Sequence, residues 1–316
     1  MNNRYINAIK KMNKSLDAIA KQYHVSKIYF WIDSLYKHIR YGVTPNEYIC
    51  WGLYSKSGLE CNRFYTARHH ECDQKKLEKS YISILENKSS FNVFFKDFIK
   101  RDWLYCATSS EEQIENFIQS HSKIMVKPIN LSSGRGIGLY QGQTATYLKK
   151  NKYLLEQFIT QHPFLSQINS SSVNTLRIFT LLNSKKQPQI ISASLRVGCG
   201  GVTDNWHGGG IAYPIDLESG VIYMPGSNGL NQRFIFHPST GKQMVGLTIP
   251  NWSDCKNFVY KAHRIIPQIP LIAWDVVILP EGFELIEGNH NGNPDLMQGP
   301  SGQGCLPLIK EVKTQG

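Results

Sequence analysis

Three polar residues near the C-terminus, Asp275, Glu287 and Asn289, have the types and spacing of an oxygen-ligand metal site. The run WDVVIL predicts a strand, PEG a three-residue turn and FELIEGN the returning strand. In that register Leu279 faces Phe283, and Asp275 lies about 5 Å from Glu287 on the opposite strand. Asn289 points to the same face because it is two residues further on. Two carboxylates and an amide oxygen are the hard ligands that Mg²⁺ prefers. The alternative is a solvated hairpin with one acidic pair.

The elements that must position this hairpin change in character along the chain. Residues up to about 87 are mainly helical, with helices over NAIKKMNKSLDAIAKQY and over KIYFWIDSLYKHIRY, the second closed by Gly42. A further helix is expected over KSSFNVFFKDFIKR, with its phenylalanines in the core. Strands then dominate, among them KIMVKP, KYLLEQFI, SVNTLRIFTLLN and QIISASLRVG, with the helices EEQIENFIQSH and SDCKNFVYKAHRII between them. This order predicts an α+β protein with a largely antiparallel sheet.

Composition and charge limit the class of protein. The chain has 316 residues, of which 41% are hydrophobic, enough for a sizeable core and more than one lobe. The net charge of +11 indicates an anionic partner. Lysine and arginine are spread along the chain without a dense basic run, so we expect a small anionic ligand such as a nucleotide, and no nucleic acid.

Cysteine usage and apolar runs indicate the compartment. The seven cysteines include no CxxC pair, which is typical of reduced thiols in the cytosol. His69, His70 and Cys72 match no familiar zinc spacing. The N-terminus lacks the apolar stretch of a signal peptide, and no apolar run is long enough for a transmembrane segment. We therefore expect a cytoplasmic protein.

Lys127 ends the predicted strand KIMVKP and precedes a loop that contains Gly134, Gly136 and Gly138. Glycines let backbone N–H groups approach phosphate oxygens, and a lysine supplies positive charge. The loop lacks the lysine and hydroxyl of a GxxxxGK[ST] motif, and the lysine precedes the glycines, opposite to the order in protein kinases. The alternative is an ordinary hairpin turn.

Two arginines lie in consecutive predicted strands, Arg177 in NTLRIFT and Arg196 in SASLRVG. A hairpin between these strands would bring them close together. Paired guanidinium groups suit a carboxylate, an acyl phosphate or a γ-phosphate. The alternative is that one or both form structural ion pairs.

The segment TDNWHGGG offers candidate substrate contacts. Asp204 and Asn205 could hydrogen-bond a polar substrate, and His207 could assist proton removal. Gly208 and Gly209 would let the backbone lie against a ligand. The alternative is a turn stabilised by the aspartate and asparagine side chains.

The order strand-lysine, glycine loop, EQFI strand, arginine strand and D…ExN resembles the ATP-grasp superfamily. The resemblance implies two α+β lobes that clasp ATP, with Mg²⁺ on the acidic hairpin and the loop 132–138 closing over the phosphates. It also implies that the backbone of residues 156–158 binds adenine. The residues that the resemblance assigns to the nucleotide are Lys88, Lys127, Ser132, Ser133, Gly134, Arg135, Gly136, Glu156, Gln157 and Phe158.

A closer resemblance covers roughly residues 40–300. The strings SSSVNTLRIFTLLN, SLRVGCGGVTDNWHGGG and PIDLESG resemble the sugar-transfer-associated ATP-grasp proteins. This implies an ATP-dependent ligase that uses ATP and Mg²⁺ to join a carboxylate to an amine on a small molecule or glycan precursor, in association with other enzymes of polysaccharide biosynthesis. Arg177 and Arg196 would be catalytic. The substrate residues would be Asn174, Asp204, Asn205, His207, Gly208 and Gly209.

The resemblance also divides the chain into a helical region at 1–87, a lobe with the phosphate loop at 88–158 and a lobe with the metal and acceptor site at 159–316. Two other functions remain open. One is a kinase-like transfer of phosphate to a sugar hydroxyl. The other is a non-catalytic module that binds glycans or nucleotide-sugars.

Overall fold

The fold is that of a computed structural model, which describes residues 3–129, 136–200, 204, 206–292 and 294–315. The α-helices are α1 (Asn3–Tyr23), α2 (Lys27–Tyr41), α3 (Pro45–Cys50), α4 (Gly58–Cys61), α5 (Ala67–Gln74), α6 (Lys79–Glu86), α7 (Lys88–Phe94), α8 (Glu111–Ser120), α9 (Ala145–Lys150), α10 (Pro163–Ile168), α11 (Trp252–Arg264), α12 (Pro294–Gln298) and α13 (Leu306–Thr314). The strands are β1 (Trp103–Tyr105), β2 (Ile124–Pro128), β3 (Gly138–Leu139), β4 (Tyr153–Gln157), β5 (Thr175–Leu182), β6 (Pro188–Val197), β7 (Ile211–Pro214), β8 (Gly226–Ser227), β9 (Arg233–Phe234), β10 (Leu271–Ile278) and β11 (Phe283–Asn289).

The strands form two antiparallel sheets, which confirms the predicted fold class. The small sheet has the order β1-β4-β2-β3, and the large sheet has the order β11-β10-β5-β6-β7-β8-β9. Every neighbouring pair in the large sheet from β5 to β9 is consecutive in the chain, as expected for hairpin connections. The strand β10 follows β9 in the chain but pairs with β5, so it lies between β5 and its own hairpin partner β11.

The small sheet has its own core. Helix α8 begins at a capping box in which the Ser110 side chain accepts from the Gln113 N–H, and the Gln113 side chain accepts from the Ser110 N–H. Its apolar positions Ile114 and Phe117 are buried against the sheet, next to Leu148 of α9.

The large sheet is covered on both faces. On one face Ile178 and Trp274 pack with α11, whose Val259 is fully buried. On the other face Phe179 and Ala273 pack with the N-terminal helices in a second core. The N-terminal helices therefore share a core with the sheet.

Local signals set the ends of the N-terminal helices, and the predicted end of α2 at Gly42 is confirmed. Helix α2 ends at Gly42, whose left-handed backbone (φ +73°) lets its N–H donate to the His38 carbonyl. Helix α3 begins at Thr44 with proline at its first position and a capping box to Glu47. The helix predicted from Lys88 is shorter than expected and gives way after Phe94 to a single 3₁₀ turn. Among the described residues, no helix is both long and apolar enough to span a membrane.

Candidate functional site

The acidic hairpin forms with Asp275 directly opposite Glu287, as the sequence predicts. The predicted turn is wrong, because Ile278 pairs with Phe283 and the Leu279–Phe283 pairing does not form. The loop is therefore one residue longer than the three-residue turn of the prediction.

A β-bulge compensates for the longer loop. Val276 pairs with Leu285, while the preceding residue Asp275 pairs with Glu287, so Ile286 is the extra residue. Without the bulge, Leu285 and Glu287 would point to the same face. The bulge instead leaves Leu285 in the apolar core and turns Glu287 to the face that carries Asp275.

Asp275 is held by both arginines predicted to be catalytic. Arg177 lies opposite Asp275 on β5 and donates from Nε to Oδ1 at 2.5 Å and from Nη2 to Oδ2 at 3.0 Å. Arg196 donates from Nη1 to Oδ2 at 2.9 Å. Although burial raises the pKa of Asp275, the two guanidinium groups together hold it below its ordinary value.

Arg196 connects this cluster to the next loop. It pairs with Thr175 in the sheet register, and its Nη2 donates to Asp204 Oδ1 at 2.6 Å. The other oxygen of Asp204 accepts the Thr175 backbone N–H at 3.1 Å and the Thr175 hydroxyl. Burial raises the pKa of Asp204, against the lowering effect of Arg196. The geometry thus brings the two arginines together, as the hairpin argument predicts.

Glu287 and Asn289 are the less buried of the three predicted metal ligands, since Asp275 is only 4% exposed. Both are half-buried, and the Asn289 amide donates to Glu287 Oε1 at 3.0 Å. Partial burial and the adjacent Asp275 carboxylate raise the pKa of Glu287. A carboxylate held beside a second one is a site that a cation stabilises. The donor chemistry of Glu287 and Asn289 fits Mg²⁺, whereas both oxygens of Asp275 are engaged by guanidinium groups.

Two lysines lie at the base of the predicted phosphate loop, Lys88 at the start of α7 and Lys127 on β2. The Lys88 ammonium, at the start of α7, donates to the carbonyls of Pro128 at 3.1 Å and Ile129 at 3.5 Å. Burial lowers the pKa of Lys88. The negative charge of Glu287 opposes this effect, and the positive charge of Lys127 adds to it. Lys88 is therefore electrostatically coupled to both the metal candidates and the base of the phosphate loop.

The loop predicted to bind phosphates is only partly described. Ser132, Ser133, Gly134 and Arg135 lie outside the described residues. The described Gly136 is exposed with a left-handed backbone (φ +70°), which suits glycine. On either side the antiparallel strands β2 and β3 form the stem of the loop, so its two ends are fixed next to Lys127.

The chain matches the family model described as sugar-transfer associated ATP-grasp over residues 140–314. It belongs to the sugar-transfer associated ATP-grasp family. This confirms the family that the sequence resembles and agrees with the α+β fold described above. The matched segment includes the whole large sheet, with Arg177, Arg196 and the acidic hairpin.

The chain is also similar to several solved structures at low sequence identity. The ATP-grasp ligase PsnB, complexed with a precursor variant, Mg and ADP, has 11% identity and a TM-score of 0.47, over 75% of this chain and 61% of that one. D-alanyl-alanine synthetase A from Vibrio cholerae has 12% identity and a TM-score of 0.45, over 76% and 63% of the two chains. The L-amino acid ligase from Bacillus licheniformis has 11% identity and a TM-score of 0.40, over 71% and 45%. The chain thus spans less than two thirds of each of these structures. No curated protein matches it.

In this ATP-grasp protein, Arg101 links the two sheets and was not among the residues predicted from the sequence. Arg101 is buried between Glu284 of β11, at 2.5 Å, and Glu156 of β4, at 2.9 Å. Lys127 forms an ion pair with the same Glu156. Burial raises the pKa of Glu156, but Arg101 and Lys127 hold it far below its ordinary value. The one sign in the sequence was Glu284, because a charged residue among apolar residues of a buried strand indicates a buried partner of opposite charge.

The segment expected to bind adenine is otherwise tied into the small sheet. Gln157 is exposed, and its N–H donates to the Asp102 carbonyl at 2.8 Å. The Phe158 N–H donates to the Lys123 carbonyl at 3.0 Å, and the Lys123 ammonium lies 3.6 Å from the centre of the Phe158 ring. The adenine role of this segment stays a prediction.

The predicted substrate residues have different surroundings. Asn174 is fully buried, and its amide bonds to Gln161 at 3.1 Å and to the Asn169 carbonyl at 2.8 Å, which favours a structural role. Asn205 and the side chain of His207 lie outside the described residues. Gly208 and Gly209 are exposed beside Trp206, whose indole N–H donates to the Ser227 carbonyl at 2.5 Å and anchors the loop.

Proposed function

We propose that this chain is an ATP-dependent enzyme that joins a carboxylate to an amine through an acyl phosphate. The observation that carries the proposal is the convergence of Arg177, Arg196, Asp275 and Glu287 on one face of the large sheet, with Lys88 electrostatically coupled to that face. Two guanidinium groups next to two carboxylates suit a reaction in which one anion is brought to another.

In the proposed reaction a carboxylate oxygen of the substrate attacks the γ-phosphorus of ATP, and the bond to the β-phosphate oxygen breaks to release ADP. An amine nitrogen then attacks the acyl carbon, and inorganic phosphate leaves. Both steps build negative charge on phosphoryl or acyl oxygens, which positioned cations stabilise.

Each charged residue has a role in this proposal. Lys88 and Lys127 lie at the base of the phosphate loop and bind the nucleotide phosphates. Arg177 and Arg196 orient the substrate carboxylate and stabilise the acyl phosphate, and Asp275 and Asp204 hold the two guanidinium groups in place. Asp204 is thereby a positioning residue, since Thr175 and Arg196 occupy its oxygens.

Mg²⁺ belongs on Glu287 and Asn289 in this proposal. When bound, it neutralises the triphosphate and screens Glu287 from Asp275. Glu287 holds the ion by charge, and Asn289 is fixed by its hydrogen bond to Glu287 so that its carbonyl oxygen is left to coordinate.

A sugar acid or an amino-acid group on a glycan precursor is the proposed donor or acceptor. The support is the family's association with sugar transfer, together with the chain's net charge of +11, which favours anionic substrates. Association with other enzymes of polysaccharide biosynthesis in the cytoplasm forms part of the same proposal.

Hydroxylamine trapping tests the reaction class. The protein is incubated with ATP, Mg²⁺ and hydroxylamine against a panel of uronic acids, nucleotide-uronic acids and amino acids. We expect a hydroxamate and ADP with at least one carboxylate. A phosphorylated sugar without hydroxamate would instead show the kinase-like transfer.

Two variants test whether hydroxamate formation depends on the proposed metal site. Glu287→Gln should lose ADP release and hydroxamate at least 100-fold, because it removes the proposed metal ligand. Lys261→Gln changes an exposed lysine of α11, which packs on the face of the large sheet opposite Arg177 and Asp275, and should keep full activity. Equal activity of Glu287→Gln and the unchanged protein would overturn the metal assignment.

A further inference from the structure

Helix α2 is apolar on its outer as well as its inner face. The inner face packs into the core through Phe30. The outer face carries six large apolar side chains that are each more than half exposed. They are Ile28 (68%), Tyr29 (55%), Ile32 (64%), Leu35 (59%), Tyr36 (55%) and Ile39 (68%).

The spacing of the aliphatic residues is that of a helix-pairing seam. Ile28, Ile32, Leu35 and Ile39 are separated by four, three and four residues, the alternation of a and d positions in a heptad. Tyr29 and Tyr36 each follow a residue of this seam, Ile28 and Leu35, and widen the apolar stripe on one side. A helix with such a seam buries it against another helix with the same spacing.

The outer face is presented in a fixed position. In the C-terminal half of α2 the buried Lys37 ammonium donates to Asp33 at 2.8 Å and to the carbonyls of Leu53 at 2.6 Å and Lys56 at 3.0 Å. Asp33 also accepts the Tyr48 hydroxyl at 2.7 Å. These contacts hold the inner face against the core, so the outer stripe is already in a fixed position and little conformational entropy is lost on binding.

We infer that α2 pairs with α2 of a second copy of this chain across a two-fold axis. In such an interface the same patch is used by both subunits, which a self-complementary aliphatic seam satisfies. This inference is independent of the proposed ligase activity.

The size of the stripe agrees with a stable dimer. A fully exposed aromatic side chain presents on the order of 150–250 Å², and an aliphatic one somewhat less. The two tyrosines and four aliphatic side chains, each more than half exposed, together present roughly 500 Å², more than half of the roughly 800 Å² that each partner buries in a stable protein complex. A patch of this size is as large as the largest on a typical monomer, and such patches are often functional.

The charges of α2 favour a helix over a lipid surface. A helix that lies on an anionic membrane has rows of free lysine and arginine beside its apolar face. In α2 the Lys27 ammonium pairs with Asp17 at 2.7 Å, Lys37 is buried, and the Arg40 guanidinium lies over the Tyr41 ring. A second copy of the same seam therefore fits better than an acidic headgroup layer.

Analytical ultracentrifugation of the full chain tests the pairing. We expect a species of twice the 36.0 kDa chain mass at micromolar concentration. Leu35→Glu places a charge in the centre of the seam and should raise the dimer dissociation constant at least 100-fold, with an unchanged far-ultraviolet circular dichroism spectrum. Ile32→Glu should have the same effect.

Ile235→Glu is the matched control, since Ile235 is also half exposed (49%) but lies outside α2. It should leave the dimer intact. If the unchanged protein sediments as a monomer at a protein concentration on the order of 50–100 µM, the inference is overturned. A dimer that survives both seam variants would also overturn it. Binding of a monomer to phosphatidylserine vesicles, lost in Leu35→Glu, would assign the stripe to a membrane surface instead.

Discussion

At the scale of the residue, two glutamates three positions apart on β11 have opposite electrostatic situations. Glu284 is buried and paired with Arg101 at 2.5 Å, so its charge is compensated. Glu287 faces the Asp275 carboxylate, whose oxygens are already engaged by Arg177 and Arg196, and its pKa is raised. The same substitution at these two positions should therefore have opposite consequences for stability.

We predict that Glu287→Gln leaves the free energy of unfolding in EDTA within about 1 kcal/mol of the unchanged protein, or raises it, because it removes a repulsion. Glu284→Gln should lower it by about 3 kcal/mol, because Arg101 loses one of its two charged partners. Urea unfolding measures both. A loss of several kcal/mol in Glu287→Gln would show that its charge is compensated in the folded protein.

The same pair separates metal binding from stability. Mg²⁺ with ADP should raise the melting temperature of the unchanged protein and of Glu284→Gln, but not that of Glu287→Gln. An equal shift in all three proteins would place the ion elsewhere.

The pairing of Asp275 with Glu287 could be predicted from the sequence, but the partners of Arg101 could not. Asp275 and Glu287 could be opposed on paper because strands alternate with a strict period. The bulge at Ile286 adds one residue to that period, and no residue type marks it. The pairing is thus correct although the turn is wrong. Arg101 carries no motif, and its partners are 55 and 183 residues away in the chain.

At the scale of the element, helices with local end signals were the most predictable. Ser110 and Gly42 mark helix ends through contacts within a few residues, so the local sequence is sufficient to predict these ends. The helix that begins at Lys88 lacks such a stop signal. It ends where Phe95 turns to pack against Trp274, which is a tertiary contact that sequence does not show.

Helix α11 is docked on the large sheet through a neutral histidine. His263 is fully buried, with Nε2 2.8 Å from the Ile269 carbonyl and Nδ1 2.7 Å from the Thr180 hydroxyl. Thr180 in turn accepts the Trp274 indole N–H at 2.8 Å. In this chain His263 donates from Nε2 and accepts at Nδ1, so both ring nitrogens are satisfied without a charge.

We predict that this contact weakens as pH falls. Burial lowers the pKa of His263 to about 4, whereas the unfolded side chain titrates near the ordinary 6.5. Above pH 6.5 the residue is neutral in both states. Between 6.5 and 4 only the unfolded chain binds the proton, so the free energy of unfolding falls, by about 3 kcal/mol in total.

The check compares unchanged protein with His263→Gln by urea unfolding from pH 8 to pH 4.5. The variant is less stable at pH 8, and the difference between the two proteins should shrink as the pH falls. A constant difference over that range would show that His263 is protonated in the folded protein or titrates normally.

At the scale of the whole molecule, the described residues form three cores. Among the described part of the helical N-terminal region, Leu16, Phe30 and Trp51 share a core with Phe179 of β5. The small sheet does have a separate core, around Ile114. The sequence could not show this, because the core of the helical region is completed by a strand more than 100 residues later.

This division predicts how the molecule opens. The core of the small sheet is formed by few large side chains, and each buried one contributes about 1.5–3 kcal/mol. The two cores on the large sheet are several times larger. Arg101 links the two sheets through Glu156 and Glu284, but a single ion-pair cluster adds only a few kcal/mol to their coupling. We therefore expect the small sheet to open before the rest, as a cooperative unit.

Native-state hydrogen exchange at low urea measures this directly. The amides of Val126 and Leu155, which pair across β2 and β4, should exchange at a free energy at least about 2 kcal/mol below that of Ile178 in β5. The Trp51 amide, bonded to the Glu47 carbonyl at 3.0 Å in the N-terminal region, should exchange together with Ile178, because both need the shared core to unfold. Exchange of Trp51 with Val126 instead would make the helical region an independent unit. Opening of the small sheet alone would expose the base of the loop predicted to bind phosphates, while the face that carries Arg177 and Glu287 stays formed. Under the proposed function, the less stable small sheet would then control access of the nucleotide.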